Sequence, residues 1–350
     1  RHEIITMKSS LFLALALGAV TAGCSATPRV LIAQADNAKI AQVQAGTLKE
    51  ANASWWGFDK ADATACLQAA IDSKVPTLIV DNTGSDWIIN KPLNLVSHQQ
   101  IIFADGVVVQ AKEGAFKGKN DALFMGKNLT DIALIGQGNA TLRMRRADYD
   151  NPKLYTKAEW RHGIGLWDCA NVVIRGLTVT ETGGDGLYLG ASGSGTNKNV
   201  LVEDVNFDAN YRQGISVISA EDLTIRRCKL TNTDGTNPQA GIDFEPNHPG
   251  QRLVNCVVED SVLTGNKGGG LDVYAVNLNG DSAPISITVN RCTIAGNSIG
   301  MASTITRSPQ NPATGLVTLN DCTFDHNRIN LRNAVVGSAR YLFKNCTLDF

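Results

Sequence analysis

The sequence carries little excess charge of either sign. Its 32 Lys and Arg residues nearly balance 33 Asp and Glu residues, which leaves a formal net charge of -1. A general polyanion-binding surface requires a positive excess, so we expect no nucleic-acid partner. Proline is sparse at 10 residues, whereas glycine is frequent at 33. Many glycines with few prolines are typical of a chain that makes many tight turns.

Neither a Cys-x-x-Cys pair nor a partner histidine accompanies the eight cysteines, which argues against a zinc site. When Cys24 is set aside, seven cysteines remain, an odd number for a disulfide framework. Several recur at one position of a repeat described below, among apolar neighbours. We therefore interpret them as small buried hydrophobic residues, with disulfides between stacked coils as the alternative. The repeated cysteines are Cys228, Cys292, Cys322 and Cys346.

The apolar run from Leu11 to Val20 is too short to cross a bilayer. It predicts the core of a signal peptide that starts at Met7, downstream of residues 1–6. The run is followed by Thr-Ala-Gly-Cys24, which resembles the lipobox of bacterial lipoproteins. We therefore expect a signal peptide over residues 1–24 and a lipidated Cys24, which would hold the protein at the bacterial cell envelope by its lipid alone. Ordinary signal cleavage and secretion are the alternative.

Residues 25–50 are small and polar, which predicts a flexible tether, and residues 51–350 predict one folded domain. At its start, residues 61–73 carry apolar side chains at helical spacing, which predicts a short capping helix. Short runs rich in β-branched residues then predict strands. These runs are residues 77–80, 87–89, 100–103, 107–109 and 132–135.

A seven-residue pattern returns at intervals of 23 to 30 residues from about residue 160. Repeats of this length with short strands predict a solenoid, and the lack of a Leu-x-x-Leu-x-Leu framework excludes a leucine-rich repeat. The predicted fold class is all-β, a parallel β-helix. The third position of the pattern is Gly163, Gly186, Gly214, Gly241, Gly270, Gly300 and Asn330. A second column, whose stacked amides can bond from coil to coil, is Asn210, Asn266, Asn297 and Asn327.

Trp55-Trp56-Gly57-Phe58-Asp59 and the helical segment 62–72 together resemble the N-terminal module of the pectate-lyase-like β-helix superfamily. With the coils, the resemblance covers roughly residues 50–350, and it implies a right-handed parallel β-helix that acts on carbohydrate. That superfamily contains hydrolases, lyases, epimerases and phage tailspikes, so the resemblance implies no single reaction. The sequence stops in mid-coil at Phe350, which predicts a missing C-terminal cap. We expect a monomer.

Two columns of the pattern carry the candidate site. Side chains alternate along a strand, and the fourth position is apolar, so the fifth and seventh positions face outward. Asp243 and Asp272 occupy the fifth position of neighbouring strands, about 4.8 Å apart, and Glu245 occupies the seventh. Three such carboxylates repel one another unless a proton or cation compensates, which favours a catalytic role. We expect the substrate to be bound by Asp185, Tyr188, Arg212, His162, Arg161, Trp167 and Tyr274.

The first hypothesis is a glycoside hydrolase that acts on a polysaccharide or oligosaccharide and needs no cofactor. Asp243 and Asp272 then form the carboxylate pair, and Glu245 assists. A carboxylate separation near 5 Å indicates retention of configuration, and about 6.5–9.5 Å indicates inversion. The sequence leaves both open.

The second hypothesis is a Ca²⁺-dependent polysaccharide lyase or C5-epimerase on a uronic-acid polymer. Asp243, Glu245 and Asp272 would then hold the ion through hard oxygen ligands, and Arg212, His162 or Tyr188 would act on the proton. A third hypothesis is a non-catalytic carbohydrate-binding or adhesion solenoid.

Overall fold

The computed structural model describes residues 34–305, 310–335 and 339–349. The predicted signal peptide, Cys24 and the first part of the predicted tether lie outside these residues. In the described part of the chain, no helix has the length and hydropathy needed to span a bilayer.

Successive turns of the chain from β2 onward place one strand in each of three parallel sheets. In chain order, the thirty strands of the described residues are numbered β1–β30. An eleven-stranded sheet contains β1 (Glu50–Asn52), β2 (Thr77–Val80), β5 (Gln99–Phe103), β8 (Thr130–Gly136), β11 (Ala170–Arg175), β14 (Asn197–Glu203), β17 (Ala220–Arg226), β20 (Leu253–Glu259), β23 (Ile285–Asn290), β26 (Gly315–Asn320) and β29 (Arg340–Lys344). A ten-stranded sheet contains β3 (Trp87–Ile89), β6 (Val108–Ala111), β9 (Thr141–Arg143), β12 (Thr178–Thr180), β15 (Asn206–Asp208), β18 (Lys229–Thr231), β21 (Val262–Thr264), β24 (Thr293–Ala295), β27 (Thr323–Asp325) and β30 (Thr347–Leu348).

The third sheet carries the candidate site, and nine of its strands lie within the described residues. It contains β4 (Leu93–Asn94), β7 (Phe124–Lys127), β10 (Ile164–Trp167), β13 (Leu187–Gly190), β16 (Gln213–Val217), β19 (Ala240–Phe244), β22 (Gly269–Ala275), β25 (Ile299–Ile305) and β28 (Ile329–Val335). A chain that visits three parallel sheets in turn is a parallel β-helix, as the repeats predict.

The core is built from the inward columns of the three sheets. In the nine-stranded sheet, the fourth position of the pattern is at most 3% exposed in the first six copies, which confirms that it faces inward, whereas Leu331 in the seventh copy is 39% exposed. Replacement of one such side chain with Ala typically costs about 2–5 kcal/mol of stability. The residues are Ile164, Leu187, Ile215, Ile242, Leu271 and Met301.

The described cysteines also behave as core residues. All seven have free thiols, six are buried, and Cys346 is half-buried. Burial raises the pKa of the Cys228 thiol to about 12, as expected for a thiol that packs like a small hydrophobic side chain. This confirms the interpretation as core residues and excludes disulfides among the described cysteines in this structure.

Helix α2 (Thr64–Asp72) covers the N-terminal end of the core, as predicted. Its inner face buries Cys66, Leu67, Ala70 and Ile71. Because a solenoid exposes an apolar end unless it is capped, this helix protects the first coil. A 3₁₀ helix (Ala53–Trp56) precedes it, and a short helix α3 (Arg146–Tyr149) lies in a loop farther along.

Part of the predicted tether is folded. Residues Asn37–Gln44 form helix α1, whose first turn is capped by the carboxylate of Asp36, which accepts a hydrogen bond from the Lys39 amide at 3.0 Å. Val43 is 7% exposed and packs into the core, and β1 pairs with β2. The small and polar composition of this segment predicted a flexible tether, whereas the structure has a capped helix with one buried side chain.

The coils also begin well before residue 160. β10 pairs with β7 so that Ile164 lies opposite Phe124, which puts Leu123 where the pattern has Gly163. Because the earlier coil lacks that glycine, an alignment based on glycine could not include it.

Candidate active site

The fifth column of the pattern runs straight across the nine-stranded sheet. The Cα partners are Tyr188, Ser216, Asp243, Asp272, Ala302 and Arg332, in that order. The predicted register of Asp243 and Asp272 is confirmed. Arg332 occupies the fifth position of the copy in which Asn330 replaces glycine, so the pattern could have placed it in this column. It was not predicted as a site residue.

The carboxylates of this column are less accessible than an outward position suggests. Asp243 is 1% exposed and Asp272 is 8% exposed. Both line a pocket of about 390 Å³, because the loop that contains Asn237 and Pro238 rises beside the sheet. Its other walls include Arg212, Glu245, Tyr274, Ser303, Thr304 and Arg332.

One oxygen of each aspartate has no partner within the described residues. Asp243 Oδ1 and Asp272 Oδ1 are both buried without a hydrogen bond. Asp243 Oδ2 accepts a hydrogen bond from Gln213 Nε2 at 2.9 Å, and Gln213 Oε1 accepts one from the Ala240 amide at 2.9 Å. Unsatisfied buried polar atoms are rare and mark strain, catalysis or a ligand position.

The pocket also shifts the protonation of the pair. Burial raises the pKa of Asp243 well above the usual carboxyl range, and the neighbouring Glu245 and Asp272 add to the shift. Burial raises the pKa of Asp272 to about 7, although Arg332 opposes it. Two adjacent carboxyl groups in a buried site cannot both ionise readily, so the pair holds at least one proton near neutral pH.

Arg212 links the pocket to a second group of acids. Its guanidinium donates to Glu245 Oε2 at 2.7 Å and lies 3.8 Å from Asp185 Oδ1. Burial by itself would lower the pKa of Arg212, but the carboxylates of Asp185 and Glu245 raise it above its usual range. The cation therefore stays charged and holds Glu245, whose side chain is 21% exposed, at the pocket wall.

Two residues predicted to bind substrate are buried instead. Asp185 is fully buried and His162 is 2% exposed, with 3.3 Å between His162 Nδ1 and Asp185 Oδ2. The His162 ring stacks on Tyr188, with 4.5 Å between ring centroids. Burial raises the pKa of half-buried Tyr188 to about 12. In this structure Asp185 and His162 support Arg212 and Tyr188 rather than reach the pocket.

Arg161 was also predicted to bind substrate, and the structure contradicts this. It is fully buried and donates hydrogen bonds to the carbonyls of Phe116 and Thr156 at 2.8 and 3.0 Å. Its guanidinium lies over the rings of Tyr149 and Tyr155. The loop that carries these tyrosines covers the edge of the strand. Arg161 is therefore buried and holds this loop in place, although its position in the pattern suggested that it faces outward.

The remaining two predicted residues are separated from each other. Tyr274 lines the acidic pocket, whereas Trp167 lies on β10, three strands away from β19, and lines a different depression.

The three carboxylates do not form a compact ion-binding group. Among the described residues, the side chains whose ligand atoms all lie within 4.8 Å of one another are Asp325, His326 and Asp349. Asp243, Glu245 and Asp272 are not such a group, and Glu245 is already paired with Arg212. This geometry does not favour the Ca²⁺ site that the lyase hypothesis needs.

The family model described as "Right handed beta helix region" matches residues 104–348. The chain belongs to this right-handed β-helix family. A curated relative, the uncharacterized protein YclG of Bacillus subtilis, is 23% identical over 187 residues, or 48% of this chain. The chain spans 32% of that relative's length.

Solved structures of other β-helices are similar in fold at low identity. An iota-carrageenase complexed to iota-carrageenan fragments has a TM-score of 0.56 at 14% identity, over 79% of this chain and 72% of the other. A polygalacturonase from Erwinia carotovora has 0.53 at 12%, over 83% and 91%. The tailspike of E. coli bacteriophage HK620, in complex with a pentasaccharide, has 0.58 at 12%, over 85% and 56%. At these identities the likeness establishes the right-handed β-helix fold.

Proposed function

We propose that this right-handed β-helix is a glycoside hydrolase that acts on a polysaccharide, with Asp243, Asp272 and Glu245 as its catalytic residues. The observation that carries the proposal is the buried pair Asp243 and Asp272, side by side on a pocket floor, each with one unpartnered oxygen. A protein that needed only stability would not keep two carboxyl groups there, since their burial is unfavourable without compensation.

Asp272 suits the role of proton donor. A general acid works best with a pKa near the operating pH, and burial raises the pKa of Asp272 to about 7. Asp272 is also more exposed than Asp243, so it is the member of the pair that a glycosidic oxygen can reach. Asp243 shares the buried site with Asp272. The proton that Glu245 takes from the attacking water balances the one that Asp272 donates to the leaving group, and exchange with solvent restores both groups.

Glu245 suits the role of base for an attacking water. Its carboxylate accepts a hydrogen bond from the Arg212 guanidinium at 2.7 Å, which fixes it at the wall of the pocket. Glu245 follows β19, two residues beyond Asp243, so its position is diagonal to that of Asp272. With strands about 4.8 Å apart and residues about 3.3 Å apart along a strand, the two positions are about 8 Å apart. We infer that the two carboxyl groups keep a spacing similar to that of their backbone positions, which leaves room for a water and supports inversion of configuration.

The proteins of similar fold support the proposal of a carbohydrate substrate. The carrageenase and the tailspike were each solved with a saccharide, and the polygalacturonase is named for a polysaccharide substrate. We therefore propose a polysaccharide as the partner and, from the lipobox-like sequence before Cys24, an exported protein.

The contacts give less support to a lyase or epimerase. Arg212 holds its proton more tightly than a free arginine because of Asp185 and Glu245, so it is a poor base. His162 is buried and away from the pocket.

A panel of polysaccharides, read by two assays, tests the proposal. Hydrolysis releases reducing ends without ultraviolet absorbance from unsaturated uronates, whereas a lyase produces that absorbance and is inhibited by a chelator. Asp272→Asn should lower kcat at least about a hundredfold, since general acid catalysis contributes typically 10²–10⁴-fold. Full activity of both Asp243→Asn and Asp272→Asn would remove these residues from the mechanism.

A further inference from the structure

Trp167 lies flat on the outer surface of the nine-stranded sheet. A Cβ placed on Gly165 would lie 2.7 Å from Cη2 and Cζ3 of the indole, and one placed on Gly190 would lie 2.5 Å from its Nε1. Opposite edges of the ring therefore rest over the backbones of two glycines, one on β10 and one on β13. Because any side chain at either position would push the ring away, these glycines allow the indole to lie against the sheet.

The indole also borders a depression in the surface. Trp167 is half-buried and forms one wall of a depression of about 510 Å³, together with Leu95, Met125 and Leu129. Lys127 is the Cα partner of Trp167 on β7, is exposed, and lines the same depression. No ion pair of Lys127 is found among the described residues. A flat aromatic surface beside a free ammonium fits a ring that carries an acidic group.

The depression continues the surface that holds the acidic pocket. β13 and β16 separate β10 from β19, so Trp167 and Glu245, which both occupy the seventh column, are three strand spacings apart, about 14 Å. Between them lies Tyr188, whose ring centroid is 5.4 Å from that of Trp167. A chain that lies across the strands would reach both places without a bend around the protein.

We infer that Trp167 and Lys127 form a second carbohydrate subsite, which takes a sugar ring of an acidic polysaccharide about 14 Å from the catalytic carboxylates. The ring stacks on the indole, and Lys127 binds its carboxylate or sulfate. This inference rests on the proposed function. It makes the substrate a long acidic chain that occupies both places at once, rather than a short oligosaccharide.

The test measures binding separately from turnover. The full-length protein with Asp272→Asn is titrated with polygalacturonate, iota-carrageenan and a neutral galactan. Addition of Trp167→Ala should weaken binding of the acidic polymer about tenfold or more, in line with about 1.4 kcal/mol for a lost aromatic contact. Trp167→Phe should keep most of the affinity, and Lys127→Gln should weaken it and flatten its dependence on salt.

Trp55 provides the matched control. It is also half-buried beside a lysine, with Lys39 Nζ 5.5 Å from its ring centroid, but it lies in the N-terminal cap. Trp55→Ala should leave polysaccharide affinity unchanged in a variant whose unfolding midpoint shows that it is folded.

Kinetics in the otherwise unmodified protein separate the two ideas. Trp167→Ala should raise KM for the polymer more than it raises KM for a disaccharide, which is too short to span both places. Unchanged polymer binding and KM in folded Trp167→Ala would overturn the subsite while hydrolysis stands. Binding that depends on Trp167, with no hydrolysis of any polymer, would overturn the reaction while the subsite stands. If the neutral galactan bound as tightly as the acidic polymers, the proposal of an acidic ligand would be wrong. Binding to none of the three polymers would overturn the subsite.

Discussion

Asp272 makes folding depend on pH at the scale of one residue. Its pKa rises from 3.8 to about 7 because the folded protein buries it. Its stabilising contribution is therefore complete below pH 3.8 and is lost as the pH rises through about 7, since only the unfolded chain gives up the proton readily in that window. Asp272→Asn should raise the free energy of unfolding at pH 8 by roughly 1–4 kcal/mol, and should not raise it at pH 3.5.

Urea unfolding of the two proteins at both pH values measures this difference. Exposed Asp281 supplies the control, because Asp281→Asn should have the same small effect at both. If Asp272→Asn raised the free energy of unfolding equally at pH 3.5 and pH 8, the pKa of Asp272 would not be raised in the folded protein. A variant that is more stable but inactive is also what a functional site predicts.

Gln213 should decide which oxygen of Asp243 carries the proton. The Ala240 amide fixes the Gln213 carbonyl, so the amide nitrogen must donate to Asp243 Oδ2, and the proton is left on Oδ1, which has no other partner among the described residues. Gln213→Leu should lower kcat on a polysaccharide about tenfold to a hundredfold, on the basis of about 1–3 kcal/mol for a buried polar group that loses its hydrogen-bond partner. It should lower kcat much less on an aryl glycoside, whose leaving group needs no proton.

A purely structural role would reduce both rates by the same factor. Gln99 is a suitable control, because it is also buried and bonded to backbone, through the carbonyls of Ile71 and Val75, but it lies far along the chain in β5. Gln99→Leu should lower the unfolding midpoint without changing the ratio of the two rates.

The sequence predicts neighbours across strands better than it predicts burial. Asp243 and Asp272 could be paired because parallel register follows from a repeated pattern and strand spacing is constant. The loop with Asn237 and Pro238, which encloses them, has no periodicity, so its position could not be predicted. Arg161 fails for the same reason, since Tyr149 and Tyr155 reach it from an irregular loop. Side chains whose environment comes from loops are the ones that sequence analysis misplaced.

At the scale of the element, the asparagine column ties successive coils together. Asn297 Oδ1 accepts from the Asn266 amide at 3.0 Å, and its Nδ2 donates to the Leu263 carbonyl at 2.9 Å. Asn297 is 3% exposed, so its removal leaves two backbone groups of the preceding coil without partners. Asn297→Ala should lower the free energy of unfolding by about 2–4 kcal/mol, at about 1–3 kcal/mol for each buried group left unsatisfied.

Urea denaturation followed by circular dichroism measures this loss. The side chain of exposed Asn311 donates to the Asp281 carboxylate at 3.1 Å, and Asn311→Ala should change the unfolding free energy by less than about 0.5 kcal/mol. Equal losses in both variants would mean that the column does not couple the coils.

The β-helix extends beyond the coils whose sequences show the glycine and asparagine columns. The coils from Gly163 onward share glycine and asparagine columns, and those columns made the fold readable. The coil with β7 has the same strand pairing but Leu123 in place of glycine, and helix α1 is held by a single buried valine. Their structure depends on tertiary packing more than on local pattern, which is why the predicted domain began too late.

At the scale of the whole molecule, the solenoid arranges function along one axis. The nine-stranded sheet holds the Trp167 depression on β10 and the acidic pocket around β19 and β22. Each coil adds about 4.8 Å, so the distance between subsites is set by the number of coils. The fold therefore converts a sequence repeat into a spacing that can match a polymer.

The N-terminal segment that ends in Cys24 should decide whether the protein is held at a membrane. Thr-Ala-Gly-Cys24 after an apolar run predicts a lipid on Cys24, outside the described residues, and a lipid adds about 0.8 kcal/mol of membrane affinity for each buried CH₂. In a bacterial host, the wild-type protein should incorporate a fatty-acid label and sediment with membranes, whereas Cys24→Ser should do neither. Cys346→Ser, which alters a half-buried thiol of the β-helix, should keep both properties. A wild-type protein that is exported and soluble without the label would show that ordinary cleavage applies. Because Cys24 comes before the folded domain in the sequence and the proposed pocket is built from residues 212–332, released Cys24→Ser should hydrolyse soluble polysaccharide at the wild-type rate.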